Sequence, residues 1–270
     1  MDVNKEHKPP EPTAEELRQR EERSVYLGMC DAGRIEDRGT VLNYRLYRPE
    51  LAEGEKAPVV TFFHGLGECG EDNERPITFT DGGNVWIRGQ IEGWIPKSYV
   101  LIPQQTDNMD FNDPLWQENS LEIVHEIIMK LCLEENADPD RLYITGQSLG
   151  GYGTWNMNRL HPDTFAAVVT CCPAAVRGPA MNSVMDTDGI RACAAALKDK
   201  AVWLFHAEDD EGVPVQVTLD MRQLLLDAGR IENDTFRVTI YPEEMHYMHA
   251  CWIPTYENRD MHNWLFRQHK

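Results

Sequence analysis

Serine, carboxylate and histidine recur in this chain in positions that suit acyl transfer. Gly146-Gln-Ser148-Leu-Gly150 lies between an apolar run, Arg141-Leu-Tyr-Ile-Thr145, and a helix-like segment, residues 150–160. A serine leaving a strand and entering a helix in such a glycine-flanked turn is a nucleophile elbow, because side chains at 146 and 150 would collide with the neighbouring strand or helix. The plainer account of the same residues is a small-residue strand–helix turn. A serine hydroxyl is a poor nucleophile at neutral pH, so it needs a base in hydrogen-bond contact, and the base needs an acid to fix its tautomer. Carboxylates occur in His206-Ala-Glu-Asp-Asp210-Glu-Gly-Val-Pro214, where Glu208, Asp209 and Asp210 compete for the acid's role. Histidines occur in Pro242-Glu-Glu-Met-His246-Tyr-Met-His249-Ala-Cys-Trp252, where His246 and His249 compete for the base's. A metal pair, His246-x-x-His249, lacks a third ligand at sensible spacing.

These groups have to be held by elements that the pattern of apolar residues predicts. Pro58-Val-Val-Thr-Phe-Phe63 reads as a strand buried on both faces and runs into a glycine-rich loop, His64-Gly-Leu-Gly-Glu-Cys-Gly-Glu-Asp-Asn73. Further strands are expected at residues 24–29, 40–48, 98–104, 141–145, 166–170, 201–205 and 235–241, and helices at 120–135, 150–160, 190–197, 215–228 and 254–267. Residues 136–140 read as a turn. Strand alternates with helix through the second half, which predicts an α/β architecture: a mostly parallel central sheet covered by helices on both faces. The serine, carboxylate and histidine loops then all leave the carboxyl ends of strands, where open α/β sheets build their sites. Residues 171–188 are loop-like and too short for a large cap domain. Residues 107–113, rich in carboxylates and amides, read as turns, since they lack the glycine and distal glutamate of a calcium loop. Residues 74–97 hold Trp86, Ile87, Ile91, Trp94 and Ile95, which could wall a substrate pocket, with packing as the default explanation.

Composition narrows the function. The chain has 270 residues, enough to bury a substantial core in one domain, residues 24–270. Residues 1–23 are charged and almost free of apolar side chains, which predicts a flexible tail; Thr13-Ala-Glu-Glu16 is a capping-box pattern that would open a short helix. The net charge of −19 argues against nucleic acid and anionic membrane partners. Seven cysteines, without a C-x-x-C pair, suit neither a disulfide framework nor a zinc site. With no signal-like or membrane-spanning run, a cytoplasmic protein is expected.

The chain resembles the compact esterase branch of the α/β-hydrolase superfamily, which contains carboxylesterase/phospholipase-like enzymes, feruloyl or cinnamoyl esterases, and relatives of prolyl-oligopeptidase catalytic domains. The resemblance spans about residues 40–268 and rests on four motifs: His64-Gly-Leu-Gly-Glu68 with Asp72-Asn73; Gly146-Gln-Ser-Leu-Gly-Gly151; His206-x-x-x-Asp210-x-x-Val-Pro214; and His249-x-x-Trp252-x-x-x-Tyr256. It implies a Ser148, Asp210, His249 triad, selecting Asp210 as the acid and His249 as the base while His246 stays a competitor. It implies oxyanion donors at the amides of Leu66, with Gly67 adjacent, and Leu149. Gln104, Trp116 and Trp252 are implied near the substrate, though each could equally be a packing residue. Ala207 departs from the glycine usual in relatives, and Tyr247-Met248 departs from the usual spacing around the histidine. Cys69 and Cys251 read as bystanders. The implied activity is cofactor-free and metal-free hydrolysis of small-molecule carboxylic esters, short-chain or aromatic. Alternatives are a serine peptidase for short peptides and a non-catalytic binding or interaction protein on the same fold.

Overall fold

The computed structural model describes residues 12–106, 116–175 and 187–270. The expected turns at 107–113 lie outside the described residues, as do residues 176–186 of the loop after residue 171. Eight strands are seen: β1 Cys30–Asp37, β2 Thr40–Tyr47, β3 Ala57–Phe63, β4 Tyr99–Gln105, β5 Ala137–Gln147, β6 Ala167–Cys171, β7 Ala201–Ala207 and β8 Phe236–Tyr241. The helices are α1 Ala14–Ser24, α2 Arg75–Thr78, α3 Asp81–Ile91, α4 Glu118–Glu134, α5 Leu149–Leu160, α6 Thr187–Leu197, α7 Gln216–Asp227, α8 Trp252–Tyr256 and α9 Arg259–Leu265.

All eight strands form one sheet in the order β1-β2-β4-β3-β5-β6-β7-β8. β1, β2 and β4 pair antiparallel, and the rest of the sheet is parallel. Successive side chains along a strand point to opposite faces. Val59 and Phe63, Leu142 and Ile144, Val168, Val202 and Leu204 therefore enter one core with α4, α5, α6 and α7. Val60 and Phe62, Tyr143, Val169, Trp203 and Phe205 enter the other with α3, α8 and α9. Burial on both faces explains why these strands read as continuous apolar runs. No cap domain occurs among the described residues, and no helix there is long and apolar enough to cross a membrane.

Four loops leave the carboxyl ends of β3, β5, β7 and β8. Phe63 pairs with Gly146, which sets the His64–Asn73 loop beside the serine turn. Ala207 pairs with Tyr241, which sets the carboxylate loop beside the histidine loop.

Four expectations differ from the structure. Residues 24–29 are the end of α1 and a 3-10 turn rather than a strand; the strand is β1, whose side chains are mostly exposed, so it carries little apolar signal. Residues 137–140 continue β5 instead of turning, because Ala137 pairs with Ala57 across an irregular register. Of the segment expected to be a flexible tail, residues 1–11 lie outside the described residues, and the rest is helical from Ala14 to Ser24, with the Thr13/Glu16 capping box formed and Arg23 ion-paired to Asp81 at 2.8 Å. The closing helix is also two helices, since Asn258 adopts extended backbone and its side chain accepts from the amides of Asp260 and Met261. Asn258→Ala should therefore cost about 1 kcal/mol of stability by urea denaturation; no loss would mean that this cap does not hold α9.

Candidate active site

Ser148 joins β5 directly to α5 with φ 54° and ψ −121°, a left-handed-side conformation rare for a residue with a side chain. The two flanking glycines are obligatory. A Cβ on Gly150 would fall 1.9 Å from the carbonyl oxygen of Phe63, and one on Gly146 would fall 2.3 Å from that of Gly150. The strained turn lifts Ser148 Oγ to the mouth of a cavity of about 300 Å³ lined by Leu66, Phe79, Leu149, Val213 and Trp252 among others.

His249 Nε2 lies 3.0 Å from Ser148 Oγ and its Nδ1 2.8 Å from Asp210 Oδ2. Asp210 Oδ1 accepts from the amides of Gly212 and Val213 at 2.9 and 2.8 Å. A second imidazole, His206, sets its Nε2 3.2 Å from Asp210 Oδ2 and 3.0 Å from the Val213 carbonyl, with Nδ1 2.7 Å from Thr218 Oγ1. Burial alone would raise the Asp210 pKa, but hydrogen bonds from His206, His249 and the Val213 amide outweigh it, holding the carboxyl well below the usual range. Asp210 is thus an anion aligned with a histidine that touches a serine.

The histidine loop is itself strained, with His246 at φ 53° and Met248 at φ 49°. Each of three successive acids ties it down. Glu208 accepts from the Glu243 amide at 3.2 Å, Asp209 from the Met248 amide at 3.0 Å, and Asp210 from the His249 ring. Sequence reasoning treated Glu208 and Asp209 only as rivals of Asp210, whereas they hold the loop that presents His249. His246 is not in the hydrogen-bonded line. Its amide closes a turn onto the Glu243 carbonyl.

Leu66 opens the 3-10 turn Leu66–Glu68 and Leu149 opens α5, so both amides are first-turn donors without an intrahelical acceptor. Both residues line the cavity. His64 is buried, which lowers its pKa to about 4 despite the Gly65 carbonyl contact. Neutral, it donates from Nδ1 to Gly65 O and accepts at Nε2 from the Gln105 amide. Trp252 lines the cavity with its ring edge-on to His249, centroids 5.3 Å apart. Gln104 and Trp116 do not reach it. Gln104 is fully buried and donates to Glu68 O and Asp72 Oδ1, bracing the loop from behind. Trp116 is fully buried, stacks on Phe63 at 4.2 Å and donates to His64 O. In this structure both make framework contacts and neither is among the described residues of the cavity lining.

Atoms of metal-ligand type cluster in two groups among the described residues: the thiols of Cys171, Cys172 and Cys251, and Cys172 with Asp210 and His249. In the first group, Cys171 and Cys251 Sγ are 3.4 Å apart under the histidine loop. A cation in the second would compete with the Asp210–His249 hydrogen bond.

Glu68 was missed as a site residue although the sequence motif contained it. Its Oε2 accepts from the Gly65 amide at 2.9 Å and from Gln147 Nε2 at 3.0 Å, and its Oε1 accepts from Thr80 Oγ1 at 2.6 Å. It links the β3 loop, the elbow and the cap of α3. Burial raises its pKa from 4.5 to about 7, against the opposing hydrogen bonds of Thr80, Gly65 and Gln147. Between those two values the folded chain binds more protons than the unfolded one, so this group's contribution to stability falls as pH rises from 4.5 to about 7. Glu68→Gln keeps an acceptor for Gly65 and Gln147 without the charge. It should gain on the order of 3 kcal/mol relative to wild type at pH 8 and little below pH 4.5 in urea denaturation; a pH-independent difference would contradict the assignment.

No family model matches the chain, and no curated protein matches it. Among solved structures, a thermostable esterase is 34% identical with a TM-score of 0.75, covering 91% of this chain and 64% of that one. A ferulic acid esterase is 18% identical with a TM-score of 0.62, covering 88% and 98%. An acylaminoacyl peptidase from Pyrococcus horikoshii is 20% identical with a TM-score of 0.59, covering 87% and 40%. The last two carry the fold alone, and the chain spans just under two thirds of the thermostable esterase. The strand order, the helices on both faces and these likenesses agree: the chain has the α/β-hydrolase fold.

Proposed function

We propose that the protein is a serine carboxylesterase. The observation that supports this reading best is the continuous line Asp210–His249–Ser148 opening on an apolar cavity. In the reaction, His249 Nε2 takes the Ser148 proton as Oγ attacks the acyl carbonyl. The amides of Leu66 and Leu149 stabilise the oxyanion, and Asp210 stabilises the imidazolium. His249 then protonates the leaving alcohol, and water, activated by the same ring, hydrolyses the acyl-enzyme. These steps use groups of the chain and water alone.

The cavity favours an uncharged acyl group. Its described lining includes no lysine or arginine, and its one carboxyl, Glu68, is turned onto Gly65, Gln147 and Thr80. A volume of about 300 Å³ suits short or medium acids, and the rings of Phe79 and Trp252 suit aromatic ones of feruloyl or cinnamoyl type. Seven cysteines without a disulfide fit a reducing, cytoplasmic compartment.

Steady-state hydrolysis of p-nitrophenyl esters tests the reading. Ser148→Ala should fold and lose about 10⁴-fold or more in turnover; turnover near wild type in that variant would refute the nucleophile. Asp210→Asn should lose about 10³–10⁴-fold. Asp209→Asn keeps an acceptor for the Met248 amide and should lose far less; the reverse order would show that the two acids have exchanged roles.

A further inference from the structure

We propose that helix α1 is a specificity element: through Arg20 and Arg23 it fixes Phe79 as a wall of the cavity and so sets which acyl chains fit. The inference rests on the ester-hydrolase reading of that cavity.

α1 buries none of its residues, so apolar packing does not explain its place on the domain. Its contacts with the domain are polar and converge on one turn, residues 78–81, between α2 and α3. Arg23 grips Asp81 with a two-pronged pair, Nε to Oδ1 and Nη2 to Oδ2, both at 2.8 Å. Its Nη1 donates to the carbonyls of Thr78 and Phe79 at 3.5 and 3.3 Å. Arg20 sets its guanidinium over the Phe79 ring, 4.3 Å from the centroid. The same ring packs against the β3 loop, since a Cβ on Gly67 would sit 3.3 Å from it. Phe79 lies in the cavity lining and is 39% exposed, a large ring with little else to hold it. Thr80, its neighbour, also lines the cavity and donates to Glu68.

Without α1 the turn keeps local support, because Asn84 Nδ2 donates to the carbonyls of Ile77 and Thr80. Loss of the arginines should therefore loosen the wall rather than unfold the domain. On this reading a hexanoyl chain reaches the Phe79 wall and an acetyl group does not. A planar guanidinium is also required at 23, because an ammonium cannot grip both Asp81 oxygens and the two carbonyls together.

The test compares full-chain wild type with Arg20→Ala, Arg23→Ala and the double variant on p-nitrophenyl acetate and p-nitrophenyl hexanoate. The double variant should raise KM for the hexanoate about fivefold or more and leave the acetate within about twofold. Arg23→Lys should be intermediate, and Phe79→Ala should raise KM for the hexanoate at least as much as the double variant does. A loss of folded protein lowers kcat for both esters equally and leaves their kcat/KM ratio unmoved, so an unchanged ratio overturns the proposal. Calorimetric binding of hexanamide against acetamide, measured in a Ser148→Ala background, makes the outcome independent of turnover. There the double variant should weaken hexanamide selectively, and equal weakening or none overturns the role of α1 even if the esterase reading stands. Absence of ester turnover in wild type would remove only the esterase reading.

Discussion

The site depends on one strained residue. Ser148 passes from β5 to α5 without a loop, at backbone angles that cost on the order of 1–3 kcal/mol. The surroundings hold it there by crowding. Phe63 and the α5 backbone leave no volume at 146 or 150 for even a methyl group, and β5 is paired on both sides by β3 and β6. The turn can persist because the sheet's two cores fix its ends, and the strain then aims the hydroxyl at His249.

Around that fixed point, the neighbouring loops divide the work of positioning. The β7 loop supplies three consecutive acids, and each holds a different part of the histidine loop. Two residues of that loop, His246 and Met248, also sit at positive φ, so strain occurs on both sides of the Ser148–His249 contact. The β3 loop is held by groups kept out of water: His64 and Glu68 are buried, and Gln104 and Trp116 brace the loop from below. Burial keeps His64 neutral and raises Glu68 to about 7, so the β3-loop side of the site holds a carboxyl that is only partly ionised near pH 7. Asp210, by contrast, is held as an anion.

How far the sequence reveals this depends on how local each constraint is. The elbow is legible because glycine at 146 and 150 answers a steric demand within a few residues. The sheet is legible because strands buried on both faces must be apolar. Choosing Asp210 over Asp209 required a motif register, since residue type alone does not distinguish two adjacent acids; in the fold they face different partners. Gln104 and Trp116 illustrate the opposite case. A buried glutamine behind a loop and a tryptophan stacked on a strand have the same residue types as a substrate clamp, and tertiary placement alone separates them. α1 was half legible. Its capping box is local, but its anchor is an ion pair between residues 58 positions apart, which no test of apolar content can find.

The most direct measurement of the central claim is to expose the folded protein to a fluorophosphonate and locate the adduct by peptide mass spectrometry. The account predicts one adduct, on the Ser148 hydroxyl, and its loss in His249→Ala while the fold is kept. A folded sample that forms no adduct, or forms it on another residue, would contradict the reading of Asp210, His249 and Ser148 as one nucleophilic unit.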